Sequence, residues 1–232
     1  MNQKLCPYGK ILNPVSNRCV LITGSIGKKL LQPVNKPIID IINKPITYNV
    51  TENDVITDPA GLHYMKSSFS GAAGASHKIY SLLNKDKPNA NVIKHFSQFK
   101  NRDALYEHNF ENKSVAIFSK YNIKVIHAIG PDFTSSKYLK SLLDKDDELY
   151  NIFFKLYKDI YKAFYLQYKK NNNLHLRLLP ISTGIFINND PKYKKKLFKI
   201  FLSIYLILNK KYKITPTIYL FDKDDYKLFK SF

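Results

Sequence analysis

Three loops carry the residue types that can hold an anion or move a proton. The run Leu178-Leu179-Pro180-Ile181-Ser182-Thr183-Gly184-Ile185-Phe186 follows an apolar, strand-like stretch and precedes a helix beginning near Pro191. A Ser-Thr-Gly turn in that position can aim successive backbone N–H groups at an anion, and Gly184 lets a phosphate approach with no Cβ in the way. Ser70-Gly71-Ala72-Ala73-Gly74-Ala75 leads straight into a helix holding His77. Small residues at a helix N-terminus suit a diphosphate. Val125-Ile126-His127-Ala128-Ile129-Gly130-Pro131 reads as a strand ending in a Gly-Pro turn. Each feature also has a plainer reading. Small-residue turns join elements, His127 on an apolar strand is a hydrogen-bonded core residue, and His77 faces solvent or caps its helix. Phe186 and Phe221 are, by default, core aromatics.

The elements that must position these loops alternate. Strand-like apolar runs are Val55-Ile56, Ser114–Phe118, Lys124–Ile129, Leu174–Pro180 and Thr217–Phe221. Between them lie stretches with apolar residues at helical spacing: Ala75–Leu83, 149–169, 192–209 and a last helix from Asp224. Strands alternating with helices predict an α/β sandwich with a mostly parallel sheet, whose ligands sit at the carboxyl ends of the strands. The domain division read from composition is a looped, Cys-bearing segment over 1–31, a proline-rich linker over 32–44, and one α/β domain over 45–232.

Composition bounds the rest. The chain has 232 residues, 44% hydrophobic and 14% aromatic, enough to build a core, which excludes wholesale disorder. No stretch reaches the roughly 18 uncharged apolar residues of a membrane-spanning helix. The N-terminus shows no apolar run of the kind a secretory signal carries, so an intracellular protein without membrane contact is expected. Cys6 and Cys19 are too few for a zinc site; they either pair with each other or are small buried hydrophobes, and in a reducing compartment the thiols are expected. No metal site is anticipated. Net charge is +19, yet the basic set is 34 Lys and 3 Arg, the usage of an AT-rich genome. The charge permits polyanion binding without specifying it.

Together the three loops resemble the macro domain, an ADP-ribose-binding α/β/α module, from about Ile46 to Phe232. Val-Ile-His-Ala-Ile-Gly-Pro at 125–131 is similar to that family's IH-x-hydrophobic-GP strand, and Pro-Ile-Ser-Thr-Gly-Ile-Phe at 180–186 to its second phosphate loop. Ser70 to His77 resembles the first phosphate loop, and Ile218-Tyr219-Leu220-Phe221-Asp222 with Tyr226 the last strand and helix. The resemblance implies a three-layer α/β/α macro-domain sandwich plus a small N-terminal appendage, and no cofactor. It implies that amides of Ser182, Thr183, Gly184, Ile185 and Phe186 face those of Ser70, Gly71 and Ala72 across the diphosphate of ADP-ribose. Phe186 would border the distal ribose, and Ile46 and Phe221 would hold adenine.

The departures from that pattern bear on activity. The family's Gly-Asp-Ile-Thr stands here as Lys44-Pro45-Ile46-Thr47, without the carboxylate that takes the adenine amino group. Its Asn-Ala-Ala-Asn is matched to Thr57-Asp58-Pro59-Ala60, so Ala60 replaces the distal-ribose Asn that the family's hydrolases need. Binding of ADP-ribose or ADP-ribosylated protein is therefore expected in preference to catalysis. The alternative is a mono-ADP-ribosyl-protein hydrolase in which Asp58 or His63, read as lying in the loop beside the distal ribose, orients a water. A further alternative is RNA or poly-ADP-ribose binding by lysines such as Lys192, Lys194, Lys195, Lys196, Lys199, Lys210 and Lys211.

The first thirty-odd residues resemble the 2-cysteine adaptor domain of large DNA viruses. The resemblance rests on CP-x-G-K-x-LNP-x-x-x-RC over 6–19, followed by Thr23-Gly24-x-Ile26-Gly27-Lys28. It implies a viral protein with an undetermined protein partner, acting in the host cytoplasm at the viral factory or carried in the virion.

Overall fold

The computed structural model describes Cys6 and residues 10–13, 18–21, 39–106 and 113–232. In the N-terminal segment, β1 (Lys10–Asn13) and β2 (Arg18–Leu21) form an antiparallel hairpin, with Leu12 opposite Cys19. Cys6 and Cys19 are joined by a disulfide, not left as thiols. The hairpin brings their Cα atoms to 5.5 Å, within the span such a bond requires. The adaptor-like residues Thr23–Lys28 and the stretch 32–38 lie outside the described residues.

The main sheet has six strands in the order β3-β8-β7-β4-β6-β5: β3 (Ile41–Ile42), β4 (Asp54–Ala60), β5 (Ala116–Lys120), β6 (Lys124–Ile129), β7 (His175–Leu178) and β8 (Thr217–Tyr219). All neighbours run parallel except β5, which closes one edge antiparallel to β6. Helices α1 (Leu62–Lys66), α2 (Gly74–Leu83) and α3 (Ala90–Ser97) cover one face. On the other face α4 (Lys137–Leu142), α5 (Asp146–Tyr168), α6 (Pro191–Tyr212) and α7 (Lys223–Lys230) pack together. The expected three-layer α/β/α sandwich with a mostly parallel sheet is thus present. Both faces of the central strands are covered, so β4 and β6 read as nearly unbroken buried runs.

Local chemistry sets the helix ends. Asp146, Asp147 and Glu148 place acidic groups on the first turn of α5, so it starts three residues before its apolar stripe. Asp190 caps α6 by accepting from the Lys192 N–H, with Pro191 at the first helical position. Tyr157 of α5 and Phe201 of α6 meet at 4.9 Å between ring centroids, within the apolar layer between those helices and the sheet.

Two local expectations are corrected here. Asp58, read as lying in a loop, lies with Pro59 within β4. β4 pairs with β7 only from Asp54 to Ile56 but with β6 as far as Ala60. Pro59, lacking an N–H, therefore sits past the last rung shared with β7, where its missing donor breaks no ladder on that side. The stretch 32–44, read as linker, contributes β3 to the sheet edge: Ile41 and Ile42 pair with Ile218 and Tyr219. The Asn43 side-chain amide donates to the Leu220 and Phe221 carbonyls. At two residues, this strand is too short to show a period.

Candidate functional site

β4 and β7 are neighbours whose outgoing chains diverge. β4 leads to α1 and α2 on one face, and β7 leads to α6 on the other. A crevice at the carboxyl ends of two such strands is where open α/β sheets bind ligands. Here it is a cleft of about 750 Å³.

One wall is the loop 179–186. Ser182 adopts φ 63°, the left-handed region, which lets consecutive N–H groups turn the same way. Its hydroxyl donates to the Pro131 carbonyl at 2.6 Å. The N–H groups of Ser182, Thr183, Gly184, Ile185 and Phe186 find no partner among the described residues, and all five residues line the cleft. The loop lies hard against the end of β6. A Cβ on Gly130 would sit 2.3 Å from Ile181 Cγ2 and 2.6 Å from Ser182 Oγ. Gly130→Ala is therefore expected to displace the loop and destabilise the protein by about 1–3 kcal/mol, read from denaturant melts. A Gly130→Ala protein with unchanged stability would refute this contact.

The opposite wall is the start of α2. Ala73, at its cap position, offers no side-chain hydrogen bond, so the first N–H groups are left to the cleft. Ala72, Ala73, Gly74, Ala75 and Ser76 line it. Of the expected first cradle over Ser70, Gly71 and Ala72, two N–H groups are already used within the loop. The Ser70 N–H is taken by Ser68 Oγ at 3.1 Å and the Ala72 N–H by the Phe69 carbonyl at 3.3 Å. Gly71, at φ 79°, gives its carbonyl to the Tyr64 hydroxyl. Amides of 73–76 are the ones left facing the loop 182–186.

Asp58 lies outside the cleft, beneath this helix start, and is fully buried. Its carboxylate accepts from the hydroxyls of Ser76 and Tyr80 and pairs with His127 Nδ1, each at 2.7 Å. His127 Nε2 lies 3.0 Å from the Tyr121 hydroxyl. Burial first, then the Asp58 charge, pushes the Tyr80 hydroxyl far above its ordinary pKa, so it stays a donor. This network grips Ser76 from below and fixes the N-terminus of α2. It leaves Asp58 no water to orient. His63, exposed on α1, does line the cleft.

Ala60 is completely buried and does not line the cleft; the residues that do so at this strand end are Pro59 and Gly61, neither of which has a polar side chain. Phe221 is 77% exposed and Ile46 is buried, and neither is among the lining residues. At the β3–β8 edge, Asn43 ties the ends of the two strands together.

Residues not singled out from sequence complete the other end. Arg102 stacks its guanidinium on the Phe186 ring at 4.5 Å and lies 3.1 Å from Asp132. Lys66 and Lys100 also line the cleft, so among the described residues its cations outnumber its carboxylates, of which Asp132 is one. The available signal was the Lys:Arg ratio: where lysine serves nearly everywhere, a retained arginine marks a need for a planar fork. Arg177, another of the three, fills a buried site beside Asp54.

The lysines of α6 do not form one free stripe. Lys194 pairs with Asp225 at 2.8 Å, and Lys196 pairs with Asp146. Among the described residues no cluster of His, Cys, Asp or Glu is arranged to hold a metal, and no helix is long and apolar enough to cross a membrane.

No protein-family model matches the chain, and no curated protein sequence does. Among solved structures, the Oceanobacillus iheyensis macrodomain with ADP is 16% identical, with a TM-score of 0.47, covering 82% of this chain and 87% of that one. The Trypanosoma brucei macrodomain in complex with ADP-ribose is 16% identical, with a TM-score of 0.49, covering 83% and 68%. These are likenesses of arrangement and assign no residue a role.

Proposed function

We propose that the protein binds ADP-ribose, free or attached to protein, in the cleft between the loop 182–186 and the start of α2. The observation that carries this reading is the pair of unpartnered backbone N–H rows facing each other at the point where β4 and β7 part. Two such rows suit two linked phosphates, and neutral amides hold them without the desolvation cost of buried lysines. A cleft of about 750 Å³ is ample for a nucleoside diphosphate sugar. The motifs at 125–131 and 180–186 support the same ligand.

Binding is favoured over hydrolysis. Asp58 is sealed beneath α2, Asp132 is engaged by Arg102, and Gly61 offers no side chain at the strand end. The intramolecular pairs of Lys194 and Lys196 likewise weigh against a dedicated RNA or poly-ADP-ribose surface on α6. In the same reading the segment 1–31 tethers the domain to a protein partner in the cytoplasm of an infected cell, as its adaptor-like motif suggests.

Calorimetric titration with ADP-ribose at moderate salt tests the proposal. Saturable binding at one site is expected, with only a weak dependence on salt. The absence of binding at high protein concentration would overturn it.

A further inference from the structure

The end of the cleft beyond the diphosphate walls has a built polar group, one of whose donors no hydrogen bond uses among the described residues. By strand order, the loops after β3 and β8 lie at one side of the N–H rows, and the loop after β6 lies at the other. Arg102 belongs to the β6 side. Its guanidinium is held over the Phe186 ring and beside Asp132 of the β6 exit loop. The atom Nη2 lies 3.8 Å from where a Gly61 Cβ would stand, a position the Tyr64 ring crowds at 2.8 Å, so the guanidinium stands close to the exit of β4. Nη1 is buried and close to Asp132 Oδ2, yet it makes no aligned hydrogen bond. Such an orphaned donor is rare in a folded protein unless something else uses it.

The backbone beneath Arg102 is held firmly. The Asn101 side chain accepts from the Ala104 N–H, Ser136 donates to Asp103, and the buried Tyr106 hydroxyl donates to the Ile129 carbonyl. The guanidinium is therefore preorganised by its ring stack and by a braced turn.

We infer that Arg102 is the residue that reads the terminal sugar of the ligand, donating to the hydroxyl oxygens of the ribose beyond the diphosphate. The inference rests on the ADP-ribose reading and adds to it the group that distinguishes ADP-ribose from ADP. Arg102 does so from beside Gly61, where the strand end itself supplies no polar side chain. Phe186 is the shelf that keeps the guanidinium flat, so that its face is spent on the ring and its edge is left for the sugar.

A cycle of two ligands and three proteins tests this. ADP-ribose and ADP are titrated into wild type, Arg102→Ala and Arg102→Lys. Wild type is expected to prefer ADP-ribose. Arg102→Ala should lose roughly ten- to a hundredfold of ADP-ribose affinity, the range for hydrogen bonds from a charged donor, while its ADP affinity stays within about twofold. Retained ADP binding doubles as the proof of folding. Arg102→Lys should recover only part of the loss, since it keeps the charge without the planar stack. Equal losses for both ligands would overturn the assignment by placing Arg102 at the diphosphate or in the scaffold. No loss for either would overturn it outright. Silence of wild type toward both ligands would instead refute the cleft reading itself, and the inference with it.

Discussion

A Gly184→Glu protein is expected to lose ADP-ribose affinity by at least about a hundredfold while unfolding at the wild-type temperature. The fold can accept the change. A Cβ built on Gly184 meets only Asn189 Oδ1, at 3.8 Å, and the residue keeps a negative φ of −114°. The side chain then enters the cleft, where its carboxylate opposes the diphosphate at close range. Like charges so placed cost several kcal/mol, which is the source of the expected hundredfold. Gly184→Gln separates charge from bulk and should lose less. Calorimetry reads the affinities and circular dichroism the melts. Undiminished binding by the Glu variant would move the ligand elsewhere on the molecule.

The largest stability effect is expected from Arg177→Met. Arg177 Nη2 donates to Asp54 Oδ2 at 2.7 Å and to the Asn49 carbonyl at 2.8 Å. Nη1 donates to the carbonyls of Ile46 and Tyr48. One buried guanidinium thus closes the loop between β3 and β4 and neutralises a buried carboxylate. Methionine fills similar space but strands Asp54 and the three carbonyls, for a loss of about 3–5 kcal/mol and a fall in melting temperature on the order of 10 °C.

The same pair has a pH signature. Burial alone would raise the Asp54 carboxyl, but the hydrogen bonds from Arg177 and from the Thr51 N–H and hydroxyl outweigh it and hold the group below its ordinary value of 3.8. A depressed folded value means the stabilisation is fully present above the unfolded pKa and is lost as pH falls through the folded one. The gap between wild type and Arg177→Met should therefore be constant near neutrality and narrow below about pH 4. A gap that widens in acid would contradict this account of the pair.

Much of the architecture was legible because long elements repeat their signal. The stripe of Ile152, Phe153, Leu156, Ile160 and Phe164 marked α5, and the apolar run of β6 marked a strand covered on both faces. Short elements gave too few turns to register: α3 buries Val92 and Phe96 alone, and β3 is two residues long. In the candidate site, the loop 180–186 was legible because its chemistry is local, a turn whose own amides are left without partners among the described residues. The first wall carries no such local signal, since only the folded loop reveals that Ser68 and Phe69 consume the amides of Ser70 and Ala72. Asp58 was misread for the opposite reason. Beside a proline it looks like a turn residue, and nothing nearby in sequence announces that His127, Ser76 and Tyr80 converge on it. Arg102 is a similar case, since its partners Phe186 and Asp132 are remote in the chain.

The unequal pairing of β4, three rungs with β7 against six with β6, has a consequence for how such a site can change over evolutionary time. The cleft is in effect an unzipped stretch of backbone ladder, its depth set by where two adjacent strands stop holding each other. Pro59 acts as a stop in that zipper, since it can never donate the bond that would carry the pairing onward. Substituting it would offer the strands a way to close, so drift at this one position on the cleft wall can narrow the cavity while every amide of the two N–H rows stays in place.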